Sequence, residues 1–162
     1  MSDPESWDIA ISVLKGDWTG PDEATVRRAA LAALGAAGPD GPLELSVALA
    51  DDATVRELNR DYRGQDKPTN VLSFEAGDDP MPGQPLILGD VVLARETCAR
   101  EALEADKSFD DHLTHLTVHG VLHLLGYDHI EMDEAEEMEA LEVEILAEMG
   151  IENPYLEKPE AV

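Results

Sequence analysis

The sequence has little cysteine, few basic side chains and no long apolar run, and each shortage excludes something. The single cysteine, Cys98, cannot form a disulfide within the chain and cannot by itself make a thiolate metal site. The apolar runs fall well below the roughly 18 to 20 residues that span a bilayer, and the first residues lack the basic start and apolar stretch of a secretory signal. We therefore expect a cytoplasmic protein without a membrane segment.

Basic residues are outnumbered by acidic ones, 11 against 36, which gives a formal net charge of −25. Such a charge repels polyanions at long range and argues against general, charge-driven binding of nucleic acid. Distant carboxylates are nevertheless largely screened at physiological salt, where the Debye length is about 8 Å. A local basic groove is therefore still compatible with the sequence.

The order of strand and helix patterns predicts one α+β domain over residues 1–162. Short or alternating apolar runs predict strands at 9–14, 43–49, 71–74 and 86–94. One helix is predicted from 22 to 34, stopped by Gly35 and by Gly38-Pro39. A second is predicted from 53 to 62, with Asp51-Asp52 as its cap and Gly64 as its end, and helical patterns continue from 95 onward with a break near 108–110. A last amphipathic helix has apolar residues at 135, 138, 141, 145 and 149, and we interpret its acidic run at 133–139 as a solvated face. The loop at 77–85, rich in glycine, proline and aspartate, is the predicted mobile segment.

All five histidines of the chain fall between positions 112 and 129, and three of them have the spacing of metal ligands. His119 and His123 are four residues apart, so on a helix their rings share one face and can reach one ion. A continuing helix would turn His129 away from them. Gly126, however, sits where a left-handed C-cap ends a helix and folds the chain back. The pattern predicts one zinc ion bound by His119, His123 and His129, on a central helix and the turn after it.

A zinc ion with three neutral protein ligands keeps an open coordination position, which is typical of a catalytic, hydrolytic site. Zinc peptidases of similar spacing have their general-base glutamate directly after the first histidine, where this chain has Gly120. Peptide cleavage is thereby disfavoured, and the base is unassigned. His115, one turn earlier, is a candidate for orienting a ligand or moving protons, or else a plain helix histidine. Asp128 is a candidate base or a turn residue, and His112 is expected at the surface.

Four basic residues recur at helical spacing between positions 56 and 67, and they are Arg56, Arg60, Arg63 and Lys67. One interpretation is an arginine face that meets phosphate groups, for which the planar guanidinium is suited. The other is an exposed face on which these bases pair with neighbouring acids. The spacing does not place the stripe relative to the histidines.

Motifs along most of the chain are typical of one known family. They are HGxLHLxGYDH at 119–129, NxxYR at 59–63, KPTNVLSF at 67–74 and LGD at 88–90. With these motifs in this order, the chain resembles the YbeY family of bacterial endoribonucleases over residues 43 to 154. The earlier residues resemble the family only in pattern.

The resemblance implies a mixed four-stranded sheet packed with several helices, and one zinc ion held by the three signature histidines. It also implies cleavage of single-stranded RNA in maturation of the 3′ end of small-subunit ribosomal RNA and in ribosome quality control. The implied partners are ribosomal RNA and the ribosome or its proteins. Arg63 matches the family's functional arginine, and His115 matches a histidine usually found there.

Two hypotheses from different classes follow. In the first, the metal site hydrolyses an RNA phosphodiester while Arg63 stabilises charge developing on phosphorus, with Asp128, His115 or the metal site itself as the base. In the second, the protein is a ribosome-associated assembly factor with a mainly structural zinc, which the net charge and the unassigned base favour. Hydrolysis of another metal-activated substrate is a weaker third alternative.

Overall fold

A mixed four-stranded β-sheet with five α-helices makes up the part of the chain that this computed structural model describes, which is residues 7–39, 41–76, 84–127 and 132–155. The elements in chain order are β1 (Trp7–Val13), α1 (Gly20–Ala37), β2 (Leu43–Ala50), α2 (Asp52–Arg63), β3 (Val71–Glu75), β4 (Leu86–Ala94), α3 (Arg95–Glu104), α4 (Phe109–Leu124) and α5 (Met132–Glu148). The prediction of an α+β fold with a mixed four-stranded sheet is confirmed.

The order of the strands in the sheet is β1-β2-β4-β3. The first three of these run parallel, and β3 pairs antiparallel with β4, from Val71 opposite Leu93 to Glu75 opposite Gly89. The short strand β3 is therefore an edge strand, and the loop before it leads directly from the end of α2. This connection brings the C-terminal end of α2 beside β3.

The first helix continues past Gly35, so the prediction of a stop at Gly35 is wrong, whereas the predicted stop at Gly38-Pro39 is confirmed. A glycine inside a helix costs only about 1 kcal/mol relative to alanine. The burial of α1 outweighs that cost, because Ala29, Ala33 and Leu34 are almost completely removed from solvent. The helix ends instead at Ala37, and the backbone N–H of Gly38 donates to the carbonyl of Leu34 at 2.7 Å.

The second helix has both of its predicted ends. Asp51 is the N-cap, and its side chain accepts a hydrogen bond from the backbone N–H of Thr54 at 2.8 Å. Gly64 closes the helix with a left-handed φ of +69°, which a glycine adopts without steric cost. Arg63 is thereby the last residue of α2, at the end that meets β3.

The fourth helix is the central one, since it packs against α1, α3, α5, β3 and β4. It begins at the predicted break, where the Ser108 hydroxyl accepts from the backbone N–H of Asp111 at 3.1 Å. Apolar residues surround much of it, and Leu113, Val118, Val121 and Leu122 have no exposed surface. His112, Thr114 and Thr117 are buried as well, so α4 carries polar side chains inside the molecule.

Gly120 sets the distance between α4 and the sheet. A Cβ atom at this position would lie 2.8 Å from Cγ1 of Val91 and 3.2 Å from Cγ2 of Val71. The Ser73 hydroxyl donates to the carbonyl oxygen of Gly120 at 3.0 Å, which ties β3 directly to the helix. The residue between the two candidate ligands therefore has no room for the glutamate of a zinc peptidase.

The predicted mobile loop lies mostly outside the described residues, which stop at Ala76 and resume at Gln84. No helix in the described part of the chain is long and apolar enough to span a membrane.

Candidate active site

Three histidines of α4 lie one after another along the helix. The ring centroids of His115 and His119 are 6.3 Å apart, and those of His119 and His123 are 4.8 Å apart. The helix ends at Leu124, and Gly126 has the positive φ, +104°, that a turn after a helix favours in glycine. Two of the predicted site residues, Asp128 and His129, lie outside the described residues.

A buried carboxylate that the sequence reasoning missed stands behind these histidines. Glu142 of α5 has no exposed surface. Its Oε1 atom lies 2.6 Å from Nδ1 of His119, and its Oε2 atom lies 2.9 Å from Nε2 of His115. The hydroxyl group of Tyr155 also donates to Oε2. The donors to its two oxygens therefore come from α4 and from the segment after α5.

The charge on Glu142 is stabilised by its donors. Burial raises the pKa of this carboxyl group, but hydrogen bonds from His115, His119 and Tyr155 outweigh burial and bring the pKa to about 2. Burial and the neighbouring carboxylate in turn raise the pKa of the Tyr155 hydroxyl, so Tyr155 remains a donor. The contacts of the two histidines with Glu142 are consequently hydrogen bonds to a charged acceptor, which are stronger than neutral ones.

These hydrogen bonds decide which ring nitrogen carries a proton. His119 donates from Nδ1 to Glu142, so Nε2 carries the lone pair, the arrangement that metal-binding histidines commonly have with a carboxylate partner. His115 donates from Nε2, and its Nδ1 is buried without a hydrogen-bond partner among the described residues. A bare acceptor nitrogen is less costly to bury than an unpaired N–H, which favours this tautomer of His115.

Two sets of side chains could take part in holding a metal ion. His115, His119 and Glu142 have ligand atoms within 4.8 Å of one another, so a cation could sit among them. A cation there would have to displace the protons that both histidines and Tyr155 donate to Glu142. The other position uses Nε2 of His119 together with His123 and leaves every donor of Glu142 in place. The hydrogen bonds that His115, His119 and Tyr155 donate to Glu142 therefore favour the second position.

A cleft of about 660 Å³ opens in front of His119 and His123. The described residues on its other wall come from the end of α2, the following loop and β3, and they are Tyr62, Arg63, Thr69, Asn70, Val71, Leu72, Ser73, Phe74 and Glu75. Neither His115 nor Glu142 lines the cleft. The structure thus separates the residues that face a ligand from those that hold them in place.

Arg63 is the member of the basic stripe that faces the histidines across the cleft. Its Nη2 atom donates to the carbonyl oxygen of Ser73 at 2.6 Å, and its guanidinium carbon lies 5.7 Å from the centre of the Phe74 ring. Arg56 and Arg60 are instead exposed and paired with Asp66 and Asp61 at 2.7 and 3.1 Å. The two interpretations therefore apply to different arginines: Arg56 and Arg60 pair with acids on an exposed face, and Arg63 lines the cleft.

The expectation that His112 lies at the surface is wrong. This residue is 9% exposed, and its Nε2 atom lies 3.0 Å from Oε1 of Glu101. Burial lowers the pKa of His112, although Glu101 acts in the opposite direction. The same glutamate oxygen accepts a hydrogen bond from the side-chain amide of Asn70 at 3.0 Å. Because Asn70 lines the cleft, Glu101 connects the buried His112 to the cleft wall.

Comparisons with known proteins converge on one family. A family model described as Endoribonuclease YbeY matches residues 20–150. The chain is 57% identical to the Endoribonuclease YbeY of Paramagnetospirillum magneticum, over 93% of this chain and 97% of that protein. It is 55% identical to that of Parvibaculum lavamentivorans, over 91% of this chain and 85% of that protein. The solution structure of TM1509 from Thermotoga maritima shares the fold, with a TM-score of 0.56, 23% identity and coverage of 95% of this chain and 99% of that one.

Proposed function

This chain belongs to the YbeY endoribonuclease family, and we propose that it is a zinc-dependent endoribonuclease that cuts single-stranded RNA. We assign its activity to maturation of the 3′ end of small-subunit ribosomal RNA and to ribosome quality control in the cytoplasm, with ribosomal proteins as partners. The observation that carries the proposal is the cleft in which His119 and His123 face Arg63. A pair of imidazoles opposite a guanidinium group is suited to a phosphodiester.

The metal in this proposal is one zinc ion held by His119, His123 and His129. The hydrogen bond from Nδ1 of His119 to Glu142 supports this choice, because it directs the lone pair of Nε2 outward from the buried carboxylate. A zinc ion bound there supplies Lewis-acid polarisation of a phosphoryl oxygen and a lowered pKa for a water molecule. His115 is a positioning residue, since it contacts Glu142 and does not line the cleft.

Arg63 is the residue that stabilises the charge developing on phosphorus. Its guanidinium group is held by the Ser73 carbonyl oxygen at 2.6 Å, and such preorganised donors are most effective when they need not rearrange during the reaction. Asp128 is the base of the proposal in preference to His115, because His115 contacts Glu142 and does not line the cleft. Both roles concern the cleavage step, so their loss lowers kcat more than it raises KM.

The alternative function, an assembly factor with a mainly structural zinc, makes a different prediction about the protein without metal. Glu142 already links α4 to α5 and to Tyr155 through hydrogen bonds that need no metal. We therefore expect the chelated protein to keep its fold and lose its activity. Loss of the far-ultraviolet circular dichroism signal together with the metal would instead favour the structural role.

The test is cleavage of a short single-stranded RNA by protein of measured metal content. Wild type is compared before chelation, after it and after zinc is restored, and beside His123→Ala and Arg63→Ala. Cleavage should follow zinc occupancy and disappear in His123→Ala. Arg63→Ala should retain zinc but lose about 100-fold or more in kcat, whereas Arg56→Ala, whose arginine is paired with Asp66, should match wild type. Full activity of Arg63→Ala, or cleavage without metal, would refute the proposed mechanism.

A further inference from the structure

We propose, on the basis of the function proposed above, that Tyr62 is a platform on which one base of the single-stranded RNA stacks beside the phosphate that Arg63 contacts. Tyr62 is a binding residue in this inference and touches no reacting atom. Its side chain lines the same cleft as His119 and His123.

The exposure of Tyr62 is the first observation. The residue is 72% exposed, although large apolar side chains are mostly buried in this protein. Its ring meets Phe74 edge to face, with centroids 5.6 Å apart and an angle of 66° between the planes. Such a contact covers only a small part of an aromatic ring, so most of the Tyr62 ring is open to a ligand in the cleft.

The second observation is that this exposed ring is held in place. Phe74 contacts Tyr62 and also lies 5.7 Å from the guanidinium carbon of Arg63, so one strand residue supports both consecutive residues of α2. The end of the helix is in turn fixed to the following loop, because the Asn59 amide donates to the carbonyl oxygen of Lys67 at 2.9 Å. A flat surface held at a fixed position binds a base with little loss of conformational entropy.

The third observation is that few charged side chains of the described residues line the cleft. Among the described residues that line the cleft, Arg63 is the basic one and Glu75 is an acid, in a chain with a net charge of −25. Attraction of the RNA backbone by the protein's own charges is therefore weak, and affinity has to come from another kind of contact. Stacking of bases on aromatic rings depends on neither charge nor base identity. It also requires an unstacked base, so a platform at Tyr62 would favour single-stranded RNA over a duplex.

The test measures binding and cleavage separately, with the zinc-loaded protein. A short single-stranded RNA containing a fluorescent adenine analogue is mixed rapidly with protein, so that quenching by stacking is recorded before cleavage proceeds. Steady-state KM and kcat are measured on the same RNA. The variants are Tyr62→Ala, Tyr62→Leu and Tyr62→Phe, with Leu103→Ala as the control, because Leu103 is 83% exposed and does not line the cleft.

Wild type and Tyr62→Phe should quench the analogue, whereas Tyr62→Ala and Tyr62→Leu should not. Loss of the ring should raise KM by about 5- to 150-fold with a much smaller change in kcat. Tyr62→Leu keeps apolar bulk, so its agreement with Tyr62→Ala would attribute the effect to the flat ring. Leu103→Ala should match wild type.

Two contrary results have different meanings. Wild type that cuts RNA while Tyr62→Ala retains the same KM and quenching would overturn the stacking platform alone. Zinc-loaded wild type that neither quenches the analogue nor cuts any RNA would overturn both the platform and the proposed nuclease activity.

Discussion

The two walls of the cleft are built in opposite ways. His119, on one wall, is held from behind by Glu142, a carboxylate with no exposed surface whose oxygens both accept hydrogen bonds. On the other wall Tyr62 and Arg63 are exposed at the end of a helix and rest on Phe74. The first wall fixes side-chain positions through buried polar contacts, and the second offers surface to a ligand.

This difference corresponds to two requirements of a hydrolytic site. Groups that bind a metal must stay within about 0.5 Å of their working geometry, and buried hydrogen bonds can provide that precision. A substrate that enters and leaves needs exposed contacts instead. Changes behind the histidine wall should consequently alter stability and metal affinity, whereas changes on the other wall should alter only the handling of the substrate.

The largest losses of stability and of zinc affinity are expected from substitution of Glu142. Glu142→Ala removes the acceptor of His115, His119 and Tyr155 and leaves a cavity, so the free energy of unfolding should fall by about 3 kcal/mol. Zinc affinity should fall by about 10- to 100-fold, because His119 loses the partner that orients it. Urea denaturation of the chelated protein and competition with a zinc-binding dye measure the two losses.

Two further variants at α5 test whether the buried charge is the cause. Glu144→Ala removes an exposed acid from the same helix and should change the free energy of unfolding by less than about 0.5 kcal/mol. Glu142→Gln keeps the volume but turns an NH2 group toward one of the three donors, so it should lower zinc affinity with a smaller loss of stability. If Glu142→Gln bound zinc as wild type does, the carboxylate would not be what orients His119.

A smaller effect is expected where the two walls meet, at Gly120. A methyl group there would press on Val91 and Val71, and overpacking of this kind costs about 1–3 kcal/mol, partly offset by the better helix propensity of alanine, which is worth about 1 kcal/mol. Gly120→Ala should therefore lower the free energy of unfolding by about 1 kcal/mol.

Gly35→Ala is the matched control in α1. No atom lies within 4 Å of a Cβ atom at Gly35. The same substitution should therefore raise the free energy of unfolding by about 0.5–1 kcal/mol, and urea denaturation compares the two variants directly. Equal signs for the two changes would mean that the approach of α4 to the sheet is not sterically limited.

The features that followed from the sequence are the ones that depend on local geometry. The cap at Asp51 and the left-handed end at Gly64 are decided within a few residues, so the predicted limits of α2 are nearly correct. The apposition of Arg63 and the histidines arises from the pairing of β3 with β4 and the packing of α4 on both strands, which spacing alone does not reveal.

Glu142 was missed although the sequence contains a signal for it. Met138, Glu142 and Ile145 are spaced four and three residues apart, so the glutamate lies on the buried face of α5, unlike the other acids around it. A single carboxylate on an apolar helix face predicts a buried partner. What the pattern could not supply is the identity of that partner, because His115 and His119 belong to another helix.

The smallest effect is expected in the salt dependence of RNA binding, which tests the exposed wall alone. Each phosphate neutralised on a single strand contributes about −0.7 to the slope of log affinity against log salt. With Arg56 and Arg60 paired to acids, we expect phosphate contacts at Arg63 and at the metal, and hence a total slope of about −0.7 to −1.4.

Arg63→Ala should make the slope shallower by about 0.7, while Arg56→Ala and Tyr62→Ala should leave it unchanged. The measurement is the fluorescence anisotropy of an end-labelled RNA at several salt concentrations, recorded after rapid mixing and before cleavage proceeds, so that it does not depend on stacking at Tyr62. A slope several times steeper would mean that charges outside this wall also bind the RNA. Substrate binding would then not be confined to the wall that carries Tyr62 and Arg63.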